Sequence, residues 1–266
     1  TKRNITNLNA EYKFHFLPEL KFNVNAGFDY SENDGYNRRP LTSAANNQDI
    51  PYFEDYGGFN RNTLLDFYFN YKNDIDFLDT EIDLTAGHSY QEFFLTSQRT
   101  ETVSNDIQDF PRDINRNALE SYFGRASFDI ANKYLVSGSV RRDGSSRFGG
   151  DNKWSIFPAL SVGWKLHNEN FLADSNVLNQ LKLRAGYGVT GNQEIGPNYG
   201  YFGTYNPSVG GARYQFGNQF YNTLRPEAYD SELKWEELKT YNVGIDYGFF
   251  NNRISGTIEA YYRETE

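Results

Sequence analysis

The three histidines, His15, His88 and His167, are the residues of this chain best suited to moving a proton or holding a metal near neutral pH. Each stands alone on a separate strand-like segment, with no HExxH spacing and no paired histidine, so they build neither a metal centre nor a nucleophile and base pair. Carboxylates come next, as Asp74 with Asp76 and Glu236 with Glu237. With 35 acidic residues in the chain such pairs arise by abundance, and acid–base chemistry is decided by geometry instead. Cysteine is absent, which removes thiolate ligands, thiol nucleophiles and disulfides together. The run Arg141-Arg142-Asp143-Gly144-Ser145-Ser146-Arg147-Phe148-Gly149-Gly150 has the glycines of a phosphate loop but lacks the Lys-Ser/Thr pair, and it follows an amphipathic rather than a buried strand. It reads as a turn-rich strand exit in which Gly144, Gly149 and Gly150 supply positive φ and Asp143 a side-chain-bonded turn. The expectation is no catalytic residue, no cofactor and no metal.

Binding chemistry is better represented. Tyr36, Tyr52, Phe53 and Tyr56 fall within residues 32–60, and Tyr199, Tyr201, Tyr205, Tyr214 and Tyr221 within 190–234, two segments rich in Gly, Asn, Asp and Pro. Aromatic faces suit sugar rings or peptide side chains, so these nine are the candidate substrate contacts. The plainer alternative is that the rings pack the loops onto each other. A net charge of -9 and a pI of about 5.0 exclude nucleic acid as a partner, because phosphate-backbone binding draws on a basic face.

The elements that must position these loops are read from alternation. Aromatic content is 17% while mean hydropathy is -0.74, which suits many thin, half-apolar strands rather than a thick core. Phe22, Val24, Ala26, Phe28 and Tyr30 alternate with Lys21, Asn23, Asn25, Gly27 and Asp29, and Leu160, Val162, Trp164 and Leu166 alternate with Ser161, Gly163 and Lys165. Tyr241, Val243, Ile245 and Tyr247 do the same, as do 8–16, 64–71, 80–90, 118–130, 133–142, 181–189 and 253–263, giving about ten strands. A slip of one residue would turn charges onto the apolar face, at roughly 2–4 kcal/mol each at a bilayer midplane. His88 falls on that apolar face and is expected near an interface.

No apolar run approaches the roughly 20 residues of a membrane-spanning helix, and no signal peptide opens the chain, but barrel strands need only about 9–11 residues. Connections alternate in length. Leu17-Pro18-Glu19, Ala131-Asn132-Lys133 and Phe250-Asn251-Asn252 read as tight turns, while 32–60, 92–116, 143–156 and 190–234 read as long loops. From Asn168 to Gln180, Phe171, Leu172, Val177, Leu178 and Leu181 lie at nearly helical spacing with Asp174, Ser175 and Asn176 as possible caps, so a short helix is expected there. Aromatic residues gather near strand ends, as in the girdles of a membrane barrel.

Three stretches carry a family resemblance. Arg142-Asp143-Gly144-Ser145-Ser146-Arg147-Phe148-Gly149, with Trp154, Phe157-Pro158-Ala159 and Gly163-Trp164, resembles the barrel of SusC/RagA-type TonB-dependent transporters. Leu181-Lys182-Leu183-Arg184-Ala185-Gly186-Tyr187-Gly188-Val189-Thr190-Gly191-Asn192-Gln193 resembles the family's next strand, and Leu233-Lys234-Trp235-Glu236, Asn242 to Asp246 and Phe249 to Ile254 the hairpin after it. These motifs cover residues 118–263 in the family's order.

The resemblance implies an all-β fold, an antiparallel transmembrane β-barrel present in part, with short periplasmic turns and long extracellular loops. Residues 1–266 are then one partial barrel, without plug domain, TonB box or closing strand, since such barrels have about 22 strands. It further implies outer-membrane import of large nutrients, oligosaccharides or peptides, in a Gram-negative bacterium. The partners are membrane lipid, a SusD-like surface lipoprotein lid and TonB, the last through a missing N-terminal region. Two rival readings are a barrel independent of TonB, acting as porin, adhesin or membrane-embedded enzyme, and a soluble glycan-binding β-sandwich, whose apolar faces would need a second sheet.

Overall fold

The computed structural model describes residues 1–40, 51–103, 106–172, 175, 177–207 and 213–266. The chain runs through β1 (Lys2–Phe14), β2 (Leu17–Arg39), β3 (Tyr52–Ile75), β4 (Thr80–Val103), β5 (Asp106–Ile130), β6 (Tyr134–Ser145), β7 (Trp154–Lys165) and β8 (Leu178–Asn192). Four short strands follow, β9 (Tyr205–Pro207), β10 (Arg213–Phe216), β11 (Gln219–Asn222) and β12 (Leu224–Pro226), before β13 (Glu236–Phe249) and β14 (Ile254–Thr265). The long strands form one ten-stranded antiparallel sheet in the order β1-β2-β3-β4-β5-β6-β7-β8-β13-β14. The sheet does not close on itself, so β1 and β14 are its edges.

Register converts sequence alternation into two faces. Val136, Val162, Ala185, Val243 and Ala260 stand side by side across five strands, and one residue along lies the polar row Ser137, Ser161, Gly186, Asn242 and Tyr261. The apolar face is uncovered: Val162 is 46% exposed and Ile245 41%. No second sheet packs on it among the described residues, which removes the observation a soluble sandwich requires.

The polar face is cross-linked instead. Lys165 reaches Asp129 at 2.8 Å, Arg184 reaches Glu259 at 3.2 Å, and Ser127 meets Ser137 at 3.1 Å. Near the short turns this face forms a concavity of about 460 Å³ lined by Asn70, Asp83, Arg125 and Asp129.

Several expectations change. The first turn is His15-Phe16 rather than Leu17-Pro18-Glu19: Leu17 already pairs with Phe14, because Pro18 needs no amide donor at the start of a strand. Residues 92–116 are mostly strand, as are 32–39 and 52–60, while 41–50 lie outside the described residues. Strands β2 to β5 are therefore 23 to 25 residues long, far beyond the 9–11 that cross a bilayer, and their polar upper halves hid the pairing from a hydropathy reading. The segment 168–180 holds no α-helix among its described residues. A 3-10 turn at Leu166–Asn168 is followed by turns closed by Leu172 N to Glu169 O and Ser175 N to Leu172 O. Ser175 does cap, but it accepts from the amide of Leu178 at 3.1 Å, and Leu178 begins β8; Asp174 and Asn176 lie outside the described residues.

Candidate functional site

The long-loop end of the sheet carries the only substantial buried apolar cluster among the described residues, Phe148, Phe157, Val189 and Trp235, and it is built by the glycine-rich motif. Phe148 is fully buried, with its ring 5.3 Å from that of Trp235, and Phe157 meets Trp235 edge-on at the same distance. Polar contacts surround this plug of rings. Ser145 Oγ donates to Gln193 Oε1 at 2.7 Å, Arg147 Nη1 donates to the Gln193 carbonyl at 3.1 Å, and Trp235 Nε1 donates to the Lys153 carbonyl at 3.1 Å. Asn152 donates to the carbonyl of Glu232 at 3.1 Å. Both roots of the 193–235 segment are thus tied to the β6–β7 connection.

The motif does run out of β6 into turns, but two of its glycines and Asp143 play other parts than expected. Of its three glycines only Gly150 has positive φ, at 54°. Gly144 lies within β6 beneath Trp154, and Gly149 lies beneath Tyr201, so any Cβ there would collide with the ring above. These glycines are needed for close approach rather than for backbone conformation. Asp143 also belongs to β6, where it accepts from Arg141 Nε at 2.7 Å, and Arg141 Nη2 donates to Ser121 at 2.7 Å.

The nine aromatic candidates form two groups. In the first, Tyr36 and Tyr56 line a cavity of about 780 Å³ on the projecting ends of β2 to β4, with Glu32, Asp34, Asp55 and Arg112. Tyr52 and Phe53 lie beside it, each under an arginine: Arg39 is 5.1 Å from the Tyr52 ring and Arg38 is 5.6 Å from that of Phe53. In the second group, Tyr199 and Tyr201 stand 6.3 Å apart at the base of the 193–235 segment, Tyr199 with φ 61°. Tyr205 opens the small β9–β12 ribbon and is 67% exposed. Tyr214 and Tyr221 are direct partners across the β10–β11 ribbon.

Within that second group the alternatives separate. Tyr201 is a packing residue, covering Gly149 and meeting the tilted ring of Phe202 at 4.4 Å. Tyr214 and Tyr221 meet ribbon neighbours and are 58% and 51% exposed. Phe216, 4.7 Å from Tyr214 and 5.9 Å from Tyr221, completes this exposed aromatic group and was not among the candidates. Its signal was present in the sequence: Gly217-Asn218 between Arg213-Tyr214-Gln215-Phe216 and Gln219-Phe220-Tyr221-Asn222 is a hairpin turn flanked by aromatic strands, and Gly217 has φ 60°.

Each histidine has a hydrogen-bond partner close by. His15 bonds the Tyr12 hydroxyl at 3.2 Å and His167 bonds the Leu181 backbone. His88 has a carboxylate, Glu120, at 3.2 Å, and lies between Phe67 and Tyr122. No group of three or more metal-ligating side chains occurs among the described residues.

An open antiparallel meander with one bare apolar face, one ion-paired polar face and anchored loops at one end can be compared with known barrels. The family described as TonB dependent receptor-like, beta-barrel, matches residues 1–266. The chain belongs to that family. Among curated proteins it is 37% identical to the TonB-dependent receptor SusC of Bacteroides thetaiotaomicron over 98% of its own length and 27% of the relative's. It is 34% identical to the TonB-dependent receptor P39 of Formosa agariphila, over 94% of its length and 25% of the relative's. The chain thus spans about a quarter of the curated relatives it matches. Among solved structures, the RagAB peptide transporter superposes with a TM-score of 0.82 at 22% identity, covering 99% of this chain and 30% of that one. The unliganded ferric citrate transporter FecA superposes at 0.57 with 14% identity, over 99% of this chain and 34% of FecA. Both likenesses establish the fold. In a TonB-dependent receptor barrel the bare apolar face is the outer wall, the ion-paired face is the lumen wall and the anchored loops are extracellular.

Proposed function

We propose that this chain is barrel wall and extracellular mouth of an outer-membrane importer of large nutrients, oligosaccharides or peptides. In this reading TonB drives the importer through a region outside the chain, and a SusD-like lipoprotein lid closes over it. The single observation that carries the reading is the two-faced sheet of a TonB-dependent receptor barrel whose extracellular end is elaborated into anchored, aromatic loops. Kinship with the TonB-dependent receptor SusC supports the import reading, and the RagAB structure that shares this fold is that of a peptide transporter. The exposed ribbon rings Tyr214, Phe216 and Tyr221, with the cavity beside Tyr36 and Tyr56, are the proposed contacts for substrate or lid.

The work divides by position. The lumen wall, with Arg125, Asp129, Lys165 and Arg184, presents charge to whatever fills the barrel. The mouth presents flat rings that bind sugar or peptide surfaces without needing one fixed hydrogen-bond pattern. No residue here is asked to make or break a bond, in keeping with a family of receptors and transporters. Growth of the native bacterium on an oligosaccharide or peptide source, compared with its monomers, tests the reading. Deleting the full gene or disrupting TonB abolishes growth on the polymer alone. Equal growth of all strains on every polymer tried contradicts it.

A further inference from the structure

Among the described residues, β7 and β8 are the one neighbouring pair at the long-loop end in which both strands run on past their last pairing. They are paired from Lys165 with Lys182 up to Ala159 with Gly188, and there the ladder stops. Beyond it, residues 154–158 pair with β6 alone and 189–192 with β13 alone. A proline sets the break. Lys165 donates its amide to the Lys133 carbonyl on the β6 side, so alternate residues from Trp164 through Val162 and Leu160 to Pro158 turn their nitrogens toward β8. Pro158 has no hydrogen on that nitrogen and cannot donate to the ladder.

Side chains close the seam above this point. The Phe157 ring lies against Gly191 across it, where a Cβ would collide with that ring and with Trp235. Trp235 meets Phe157 edge-on and donates its indole N–H to the Lys153 carbonyl at 3.1 Å. Ser155 Oγ donates to Glu237 Oε1 at 2.9 Å, from β7 to β13 past the end of β8. These contacts join the β6–β7 side of the wall to the β8–β13 side with no ladder between them. A ladder parts only by breaking backbone hydrogen bonds one after another, whereas packed rings part by turning aside. The wall therefore yields here before it yields between laddered strands.

We propose that the β7–β8 seam is a latch on the mouth, held shut by Phe157 and Trp235, and that its parting sets the size of the largest substrate that enters; this rests on the import reading above. The test uses the full-length protein, free of other cysteines, in the native bacterium. S155C/E237C is joined across the seam by a bifunctional maleimide that carries a reducible disulfide. S137C/S161C, directly opposite each other in the intact β6–β7 ladder, is the control. Cells are offered a casein peptide digest and a dextran hydrolysate, each fractionated by length. With the seam linked, uptake of the longest fractions that the unlinked variant imports falls at least ten-fold, the shortest enter as before, and reduction restores the rest. The control link changes neither. F157A, in which the latch is released, admits fractions longer than the limit of the unsubstituted protein. Heat-modifiable gel migration confirms that each variant is folded. Unchanged uptake of the longest fractions with the seam linked, an equal loss of every fraction, or an unaltered size limit in F157A would overturn the proposal while leaving the import reading intact. Failure of the unlinked protein to take up either mixture overturns both.

Discussion

Trp164 donates its indole N–H to Glu169 Oε1 at 3.0 Å, drawing a ring of the periplasmic girdle and a turn carboxylate into one contact. Tyr134 donates its hydroxyl to the same oxygen at 2.8 Å, and Lys133 reaches Oε2 at 2.9 Å. Two hairpin ends, β5–β6 and β7–β8, are joined through this one side chain. The Lys133 ammonium first, then the Trp164 and Tyr134 donors, hold the Glu169 carboxyl down from the usual 4.5 to about 2.

The sign of its pH dependence follows. A carboxyl whose value is depressed by folding contributes stability that is complete above pH 4.5 and is lost as pH falls toward 2. The unfolding free energy of the full-length barrel refolded in detergent, followed as pH is lowered between those limits, falls more steeply for the unsubstituted protein than for Glu169→Gln. Parallel curves contradict the assignment.

Phe148 anchors the extracellular segment rather than the barrel wall. Replacing it with Ala removes a fully buried ring and costs about 3–5 kcal/mol of local packing. The expected readout on intact cells is protease cleavage within 193–235, with barrel migration on gels retained. Resistance equal to that of the unsubstituted protein refutes the anchoring role.

Tyr214, Phe216 and Tyr221 are exposed on a ribbon of their own, so changing them leaves the fold alone. Aromatic contacts of this kind contribute about 0.5–1.5 kcal/mol each, and the triple Ala variant therefore weakens polymer capture by roughly ten-fold or more. Radiolabelled oligomer binding to whole cells measures this, with surface abundance as control. Unaltered binding at equal abundance removes the ribbon from the mouth.

The isolated chain leaves the amides and carbonyls of one side of β1 and β14 unpaired and its outer wall bare. In detergent-free buffer it is expected to aggregate. A sharp, reversible melt of a monomer contradicts this.

Strand number, antiparallel order and the division of faces were legible because alternation with period two is set by the pleat, and rows such as Val136-Val162-Ala185-Val243 merely line those periods up. The upper halves of β2 to β5 were not legible. Above the hydrocarbon both faces meet water, so polar runs such as Ser97-Gln98-Arg99-Thr100 lose the alternation that betrays a strand. Among the described residues of 168–180 the apparent helix failed because Leu178 and Leu181 owe their spacing to β8, which starts at Leu178. At the mouth, aromatic type was visible but its use was not. Tyr201 and Tyr214 look alike in sequence and are separated only by Gly149, which lies 52 residues before Tyr201 and beneath its ring.

The central claim is that hydrocarbon covers one face of this sheet and water the other, and adjacent residues Val162 and Ser161 test it directly. Single Cys variants at each, carrying a fluorescent label in the full-length protein reconstituted into vesicles, are exposed to a lipid-dissolved quencher and to a water-soluble one. The lipid quencher should act on the label at 162 and the aqueous quencher on that at 161. Equal access of both quenchers to both sites, or the reverse pattern, would contradict the account.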